Sequence, residues 1–399
     1  MSGPWLHVVG IGEGGLAGLA APAIAALERA EVIVGGDRHH RLSDRIKAER
    51  RTWPSPFDAM VDEIRGLRDR RPAVLVTGDP LWYSVGARLT RAIDPSEIVF
   101  HPQLSAFQWA ACRMGWSLAD CATLTVHGRP VEQILRHIAP RRRLLVLTKD
   151  ASTPAAVAAL LRERGYAGSR MTALAALGGE KEARFDGAAR DWSATVPDFH
   201  TLAIECVAGP DAERWPLTGL PDHAYEHDGQ LTKQDVRAMT LARLSPFPGA
   251  MLWDVGAGCG SVGIEWMRAA SEARTVAIEP DAERRAMLDR NAAKLGAPAL
   301  RIVEGKAPDA LDDLPPPDAV FIGGGLTTPG VFEACWTALA PGGRLVANAV
   351  TLESEARLAA LHAEHGGHLA RVSVASAEEI GPYRGWRPSM PVTQWSATR

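Results

Sequence analysis

Short apolar segments alternate with amphipathic segments along the whole chain. In the first hundred residues, apolar segments begin near residues 6, 31, 73 and 98, and the segments 19–30, 59–70 and 87–93 have helical periodicity. In the segment 59–70, for example, Met60, Ile64 and Leu67 fall on one helical face. Strands that alternate with helices in this way predict a parallel sheet with helices on both faces.

The alternation continues to residue 206, with a change near residue 103. We predict strands at 124–127, 144–148, 170–174 and 201–206, and helices at 105–114, 131–138 and 154–164. Residues 1–206 are therefore predicted to form one α/β unit with two lobes, about 1–103 and 104–206. From 207 to 230 the chain is irregular and rich in turn residues, which predicts a linker with some ordered contacts.

A third alternating region covers residues 231–399. Thr232 is predicted to cap a helix that runs to about residue 244. Strands are predicted at 251–255, 275–279, 300–305, 318–325 and 344–350, with helices at 282–295, 331–339 and 352–364. The last apolar segments, 368–375 and 392–396, predict an antiparallel pair with a long loop between its strands. This order of elements is typical of a Rossmann-like α/β domain.

Composition narrows the classes of function. The chain has 399 residues and a formal net charge of -3, so nothing indicates a nucleic-acid partner. It contains no apolar run of roughly 18 residues and begins without a signal-peptide pattern, so we expect no membrane partner. Five scattered cysteines show no metal-binding spacing and fit a reducing compartment. We therefore expect a cytoplasmic protein without a metal, and we expect it to assemble as a homo-oligomer.

A glycine-rich turn after the strand 251–255 carries the clearest chemical signal. Gly258-x-Gly260-x-x-Gly263 matches the dinucleotide fingerprint, which keeps an NAD site as an alternative. The longer pattern, Asp254-x-Gly256-x-Gly258-x-Gly260, is typical of S-adenosylmethionine sites because an acidic residue stands two positions before the first glycine. Glu279 ends the next strand, where a carboxylate can bind both ribose hydroxyls. Asp254 is expected either to bind the methionine ammonium or orient the loop, or only to brace it.

Residues 231–399 resemble the class I methyltransferase domains that act on precorrin-6B in cobalamin biosynthesis. The resemblance rests on Thr232-Lys233, the glycine turn, Glu304-Gly305-Lys306-Ala307-Pro308, Phe321-Ile322-Gly323-Gly324 and Asn348-Ala349-Val350-Thr351. It implies that the methyl donor S-adenosylmethionine contacts a set of residues in this domain. That set is Thr232, Asp254, Gly256, Ala257, Gly258, Cys259, Gly260, Glu279 and Ala307.

Residues 1–206 are similar to the tetrapyrrole methylase family, the class III methyltransferases. The matching motifs are Gly10-Ile11-Gly12-x-Gly14, Thr77-Gly78-Asp79-Pro80 and Gln103-Leu104-Ser105-Ala106, although the family has proline where this chain has Leu104. The resemblance implies a second S-adenosylmethionine between the two lobes. The residues implied to contact this donor are Gly10, Gly12, Gly78, Asp79, Leu81, Ser105 and Ala106.

The fusion of these two families resembles the bifunctional methyltransferases of the aerobic vitamin B12 pathway. It implies methylation of C-5 and C-15 of precorrin-6B and decarboxylation of the C-12 acetate on ring C, giving precorrin-8X. One S-adenosylmethionine serves each unit. Two alternatives remain: a fused methyltransferase for another tetrapyrrole or a small aromatic, and a carrier that binds tetrapyrroles without reaction.

No single residue identifies itself as the catalytic one. A meso carbon of a reduced tetrapyrrole is already nucleophilic, so the protein must mainly align it with the methyl group, exclude water and handle a proton. His39, Asn348 and Arg384 are the candidates for these tasks. Because the substrate carries many carboxylates, further basic residues are expected to bind it. They are Arg38, His40, Arg41 and Arg387.

Overall fold

The computed structural model describes residues 3–399 and divides them into two compact units. One unit consists of residues 3–131 and His137–Glu213, and the other of Glu132–Arg136 and Arg214–Arg399. Among the residues that the structure describes, no helix combines the length and the apolar character needed to cross a bilayer.

The first half of the first unit contains a parallel sheet, as the alternating pattern predicts. In the described chain its strand order is β3–β2–β4–β1–β5. The strands are β1 (Leu6–Ile11), β2 (Val32–Val34), β3 (Glu49–Arg51), β4 (Pro72–Thr77) and β5 (Ile98–His101). The helices are α1 (Ala21–Arg29), α2 (Asp37–Leu42), α3 (Met60–Arg65) and α4 (Gly86–Ala92). The sequence did not predict β3, because its three residues are all charged.

The second half of this unit contains a mixed sheet. Its strand order over the described residues is β6–β7–β10–β8–β9, in which β6 and β7 are parallel and the other pairs are antiparallel. The strands are β6 (Cys121–Thr125), β7 (Arg143–Leu147), β8 (Arg170–Ala175), β9 (Ala183–Ala188) and β10 (His200–Glu205). The helices are α5 (Ala106–Met114) and α6 (Thr153–Glu163). The helix predicted at 131–138 is a 3₁₀ helix, Val131–His137, of which Glu132–Arg136 belong to the second unit.

The second unit is built on a larger sheet with the order β13–β12–β11–β14–β15–β19–β16 in the described chain. Its strands are β11 (Met251–Val255), β12 (Arg274–Glu279), β13 (Arg301–Glu304), β14 (Ala319–Ile322), β15 (Arg344–Ala349), β16 (His368–Val372) and β19 (Val392–Thr398). The helices are α7 (Gln234–Leu244), α8 (Ser261–Ala269), α9 (Ala282–Lys294), α10 (Val331–Ala338) and α11 (Leu352–His365). Strand β19 is antiparallel to β15 and β16, which confirms the predicted terminal pair.

Alternate residues of β11 enter different cores on the two faces of this sheet. Leu252 packs on one face with Trp266 of α8 and Leu288 of α9, and Trp253 packs on the other with Phe332 of α10. The strand order reverses between β11 and β14, because β12 and β14 flank β11. In such a sheet, ligands bind beyond the carboxyl ends of the strands at the reversal, which is where the glycine turn begins.

Two local predictions in the second unit are wrong. Thr232 does not cap α7, because the helix begins at Gln234 and its N-cap residue is Lys233, without a side-chain cap. The segment predicted as a loop between the terminal strands forms a separate hairpin of β17 (Ala375–Ile380) and β18 (Tyr383–Pro388). Every residue of β17 is exposed, so no burial pattern marked the hairpin in the sequence.

Part of the segment 207–230 enters the core of the second unit. Leu220, Ala224 and Tyr225 are each at most 4% exposed and pack with α7, α8 and α9. These contacts belong to the apolar core rather than to a solvated connection.

We predict that a fragment 214–399 is more stable than a fragment 231–399. The shorter fragment loses the buried Leu220 and Tyr225 side chains, each worth about 1.5–3 kcal/mol of burial. Urea unfolding followed by circular dichroism should therefore give a clearly lower midpoint for the shorter fragment. Equal midpoints for the two fragments would show that residues 214–230 contribute nothing to the fold.

Candidate functional site

The turn between β11 and α8 depends on glycine conformation. Gly256, Gly258 and Gly260 have φ angles of +70°, +58° and +81°, a region that other L-residues enter at a cost. A Cβ atom on Gly256 would lie 2.8 Å from the backbone nitrogen of Gly324, so the turns after β11 and β14 are in close contact. The glycines therefore bring bare backbone to the carboxyl edge of the sheet, which suits a ligand that must approach closely.

Glu279 lies beside this turn at the end of β12. Its Oε2 accepts a hydrogen bond from the Gly258 N–H at 2.8 Å, and its Oε1 accepts one from the Asp281 N–H at 3.0 Å. The residue is 3% exposed. Each carboxylate oxygen keeps further lone-pair capacity, so Glu279 can accept ribose hydroxyls while it holds the turn in place.

Asp254, near the end of β11, has one satisfied and one unsatisfied oxygen. Its Oδ2 accepts the Gly263 N–H at 2.9 Å, whereas its buried Oδ1 has no hydrogen-bond partner among the described residues. Burial raises the pKa of Asp254 from 3.8 to about 7, the Gly263 hydrogen bond lowers it, and the nearby charge of Glu279 raises it. Bracing of the loop accounts for Oδ2 only, and the unsatisfied Oδ1 fits a cationic group such as the ammonium of the methyl donor.

The other residues predicted to contact this donor surround the turn less directly. The Thr232 carbonyl accepts a hydrogen bond from Arg237, and the Cys259 carbonyl accepts one from Asn291 Nδ2 at 3.0 Å. Burial raises the pKa of the Cys259 thiol to about 11, so this side chain stays protonated at neutral pH. Ala307 is partly buried and packs against the core on the Trp253 face of the sheet.

In the first unit the structure brings the three predicted motifs together. A Cβ atom on Gly10 would lie 2.0 Å from the Gly78 carbonyl oxygen, and one on Gly78 would lie 3.1 Å from Ser105 Cα. Ser105 caps α5 and forms a reciprocal capping box with Gln108, which fixes the position of the neighbouring Ala106. The turns after β1 and β4 and the start of α5 therefore lie side by side.

Near these turns the structure has open space and exposed apolar side chains. Among the described residues, and apart from its two chain neighbours, no residue has an atom within 4 Å of a Cβ placed on Gly12. The Asp79 Oδ1 accepts the Leu81 N–H at 2.8 Å, which stabilises a tight turn and leaves the Leu81 side chain in solvent. Tyr83, Leu104 and Phe199 are also large and exposed, which suits contact with a flat, partly apolar ligand.

His39 is held as a neutral ring next to Thr77. Its Nδ1 accepts the Gly36 N–H at 3.1 Å, and its Nε2 lies 2.9 Å from the Thr77 Oγ1. Burial lowers the pKa of His39 from 6.5 to about 4, and the charges of Arg38 and His40 add to this effect. His39 therefore cannot supply a positive charge at neutral pH, and its remaining N–H points to a hydroxyl.

The arginines predicted to bind substrate carboxylates differ in whether a carboxylate of the protein already neutralises their charge. Arg38 forms an ion pair with Glu13, and Arg387 pairs with Glu378 at 2.9 Å. Within residues 3–399, neither Arg41 nor Arg384 forms an ion pair with a carboxylate. Arg384 lies on the exposed strand β18, and Arg41 is exposed on α2.

Asn348 belongs to a polar network with Thr240 and Gln394. Its Nδ2 donates to Thr240 Oγ1 at 3.1 Å, and its Oδ1 accepts Gln394 Nε2 at 3.0 Å. The network links β15, β19 and α7. The structure thus brings Asp254, the glycines and Glu279 together, while Asn348 directs its hydrogen bonds elsewhere.

Four polar residues near the turn were not singled out from the sequence. Arg237, Glu265, Asn291 and Tyr225 are buried and bonded to one another or to backbone around the glycine turn. A signal existed for Glu265, because it interrupts the apolar run of α8 and cannot lie in that core without a partner.

The chain is similar to known proteins along both units. Residues 5–192 match the model of the tetrapyrrole (corrin/porphyrin) methylases, and residues 223–399 match the model of the precorrin methyltransferase domain. The precorrin-6Y C(5,15)-methyltransferase (decarboxylating) of a Sinorhizobium species is 46% identical over 399 residues, which cover 99% of this chain and 97% of that protein.

Two shorter relatives each match a part of the chain. A probable cobalt-precorrin-6B C(15)-methyltransferase (decarboxylating) of Pyrobaculum calidifontis is 40% identical over 147 residues, covering 35% of this chain and 75% of that protein. The cobalt-precorrin-7 C(5)-methyltransferase of Salmonella typhimurium is 31% identical over 162 residues, covering 40% of this chain and 79% of that protein.

We predict that Asp254→Asn weakens binding of the methyl donor in the second unit about tenfold or more. The amide keeps an oxygen for the Gly263 N–H but removes the negative charge from the unsatisfied position. In the donor-free chain, the raised pKa means that the folded state retains a proton that the unfolded state loses. Stability therefore falls as pH rises from about 4 to about 7, and the variant should lack this slope.

Calorimetric titration and denaturant midpoints between pH 4 and 8 measure both effects. Asp318→Asn is the matched control. Asp318 Oδ2 also accepts a backbone N–H, that of Met251, but at the start of β11, the end of the strand opposite the glycine turn. An Asp254→Asn variant with unchanged affinity and an unchanged pH slope would exclude the charge of Asp254 from the site.

We predict that Gly258→Val abolishes donor binding in the second unit and leaves binding in the first unit intact. The control is Gly249→Val, since Gly249 has a similar left-handed φ of +78° and open space around it, yet lies before β11. Both variants carry a similar backbone strain of about 1–2 kcal/mol. If Gly249→Val lost the donor equally, strain alone would explain the defect.

Proposed function

Since the chain belongs to the family of precorrin-6Y C(5,15)-methyltransferases (decarboxylating), we propose that it converts precorrin-6B to precorrin-8X in cobalamin biosynthesis. It is a methyltransferase with decarboxylase activity. The reaction adds methyl groups at C-5 and C-15 and removes the C-12 acetate carboxyl group as carbon dioxide. Two molecules of S-adenosylmethionine are consumed, one in each unit.

One observation carries the proposal: a single chain combines two glycine-lined edges of unrelated architecture. In the second unit, Glu279 binds the turn after β11, and Asp254, with its unsatisfied Oδ1, stands two residues before Gly256 of this turn. In the first unit, Gly10 and Gly78 meet beside the start of α5. A carrier without a reaction has no use for two such edges, and the acidic residues of the second edge suit an ammonium and a ribose better than a pyrophosphate.

We assign one methylation to each unit. Residues 1–206, with lobes of about 1–103 and 104–206, are proposed to methylate C-5. Residues 231–399, together with residues 214–230 of the same unit, are proposed to methylate C-15 and to catalyse decarboxylation. The shorter relatives support a division of labour, because the name of one gives only a C(5) activity and the name of the other a C(15) activity with decarboxylation.

The residues of the second unit act by binding and orientation. S-adenosylmethionine supplies an electrophilic methyl group on a sulfonium. Glu279 accepts the ribose hydroxyls, Asp254 Oδ1 accepts the ammonium, and the glycine turn lets the donor lie against the backbone. Gly323 and Gly324 after β14 carry no side chains, which lets the turn after β14 pack closely against Gly256 at the same edge.

The substrate carboxylates require cations that are not already neutralised. Of the predicted candidates, Arg41 and Arg384 meet this condition. Arg38 and Arg387 do not, because their charges are neutralised by the carboxylates of Glu13 and Glu378. We therefore propose Arg41 in the first unit and Arg384 in the second as carboxylate ligands. His39 is neutral at pH 7, so we propose that it orients Thr77 at the end of β4 rather than binding an anion.

Incubation of the full chain with precorrin-6B and methyl-labelled S-adenosylmethionine tests the function. We expect a product with two labelled methyl groups and one carbon dioxide fewer, detected by mass spectrometry. The Asp254→Asn variant should accumulate a product that lacks the C-15 methyl group, because only its second unit is impaired. A wild-type product with a single methyl group and all carboxyl groups retained would contradict the bifunctional reaction.

A further inference from the structure

The segment 219–232, here called the strap, lies against the glycine turn of the second unit. The Gln230 carbonyl oxygen would lie 3.8 Å from a Cβ atom on Gly258. Asn291 joins the strap to the turn: its Oδ1 accepts the Glu226 N–H at 2.9 Å, and its Nδ2 donates to the carbonyls of Glu226 and Cys259. The strap therefore borders the proposed donor site.

A buried ion pair holds the strap at both ends. Arg237 and Glu265 are each 0% exposed, and Arg237 Nε lies 2.6 Å from Glu265 Oε1. The remaining Arg237 donors bind the carbonyl oxygens of Leu220 and Thr232, near the two ends of the strap, and Arg237 Nη1 also lies 3.3 Å from Asp222 Oδ1. One guanidinium therefore fixes the distance between those ends.

Glu265 completes the attachment from the other side. Its Oε2 accepts the Gly219 N–H at 2.5 Å, and its Oε1 accepts the Leu220 N–H and the Tyr225 hydroxyl, both at 3.0 Å. Glu265 lies in α8, the helix that begins directly after the glycine turn. The strap and the turn are thus attached to the same rigid helix.

The chemistry of this pair indicates a role beyond stability. Burial of two charges is expensive, and an apolar pair of similar size often stabilises a core equally well. What an apolar pair cannot do is bind the backbone groups of an irregular segment. Arg237 and Glu265 bind strap backbone at Gly219, Leu220 and Thr232, so they specify the path of this segment.

We propose that Arg237 and Glu265 are positioning residues for the methyl donor: they fix the strap against the glycine turn, and the strap closes the donor site beside Gly258 and Glu279. The inference rests on the proposed function, which places S-adenosylmethionine at this turn. A strap that is already ordered removes an entropy cost from donor binding, so the pair acts on donor affinity. It touches no reacting atom and should leave the chemical step unchanged.

The mildest test is Tyr225→Phe, which removes only the hydroxyl that donates to Glu265. We expect calorimetric titration of the full chain with S-adenosylhomocysteine to show about fivefold weaker binding at one of two sites. Arg237→Lys, which keeps the charge but loses the fork of donors, should weaken the same site more than tenfold. Hydrogen exchange at the Gly219 and Leu220 amides should accelerate in both variants.

Two controls separate positioning from a general loss of stability. Tyr166→Phe alters another buried tyrosine, whose hydroxyl donates to the Glu213 carbonyl in the first unit. Arg268→Lys alters a second buried arginine, which lies in α8. Arg268 binds backbone carbonyls outside the strap, including that of Leu217. Both controls should keep the two donor affinities within about twofold of wild type.

Turnover of precorrin-6B adds a readout that a purely structural role would not produce. The Tyr225→Phe and Arg237→Lys variants should raise the KM for S-adenosylmethionine and keep kcat at saturating donor. Unchanged donor affinity despite faster exchange of the strap amides would overturn the inference. If Arg237→Lys fails to fold, Tyr225→Phe decides alone. A Gly258→Val variant that binds as many donor molecules as the wild type would instead overturn the proposed function of the second unit.

Discussion

The hydrogen bond from the Gly258 N–H to the Glu279 carboxylate is the contact on which the second site depends. It joins the turn after β11 to the end of β12, so the glycine backbone and the acidic side chain are placed together. The bond forms only because Gly256, Gly258 and Gly260 adopt left-handed angles that expose the Gly258 amide to the neighbouring strand. Asp254, the close approach of Gly324 and the strap are all arranged around this contact.

The sequence could predict the two participants of this contact, although not the hydrogen bond itself, because each has a strong local signature. A buried strand, a run of glycines that require unusual backbone angles and a carboxylate at the end of the next strand are visible in a single sequence. The same holds for Gly10, Gly78 and Ser105, whose spacing marks the ends of β1 and β4 and the start of α5. The terminal antiparallel pair, predicted at 368–375 and 392–396, forms in the structure as β16 and β19.

The strap could not be predicted, because its contacts are neither periodic nor local. Leu220 and Tyr225 stand among prolines and polar residues in a pattern typical of a linker, yet both are buried. Arg237 lies in an unremarkable polar helix, and its partner Glu265 is 28 positions away along the chain. The sequence also could not show which arginines are free to bind a substrate carboxylate. Arg38 and Arg41 look alike in the sequence, and only the structure shows that Glu13 neutralises Arg38.

In the proposed function, the two units hold the same methyl donor with different geometry, because each presents bare glycine backbone at a sheet edge. A crystal structure of the full chain grown with S-adenosylhomocysteine tests this central claim most directly. The account predicts two bound molecules, one with its ribose on Glu279 and its ammonium at Asp254, and one between Gly10, Gly78 and Ser105. A structure with ligand at only one of these edges, or with the Glu279 carboxylate turned away from the ribose, would contradict it.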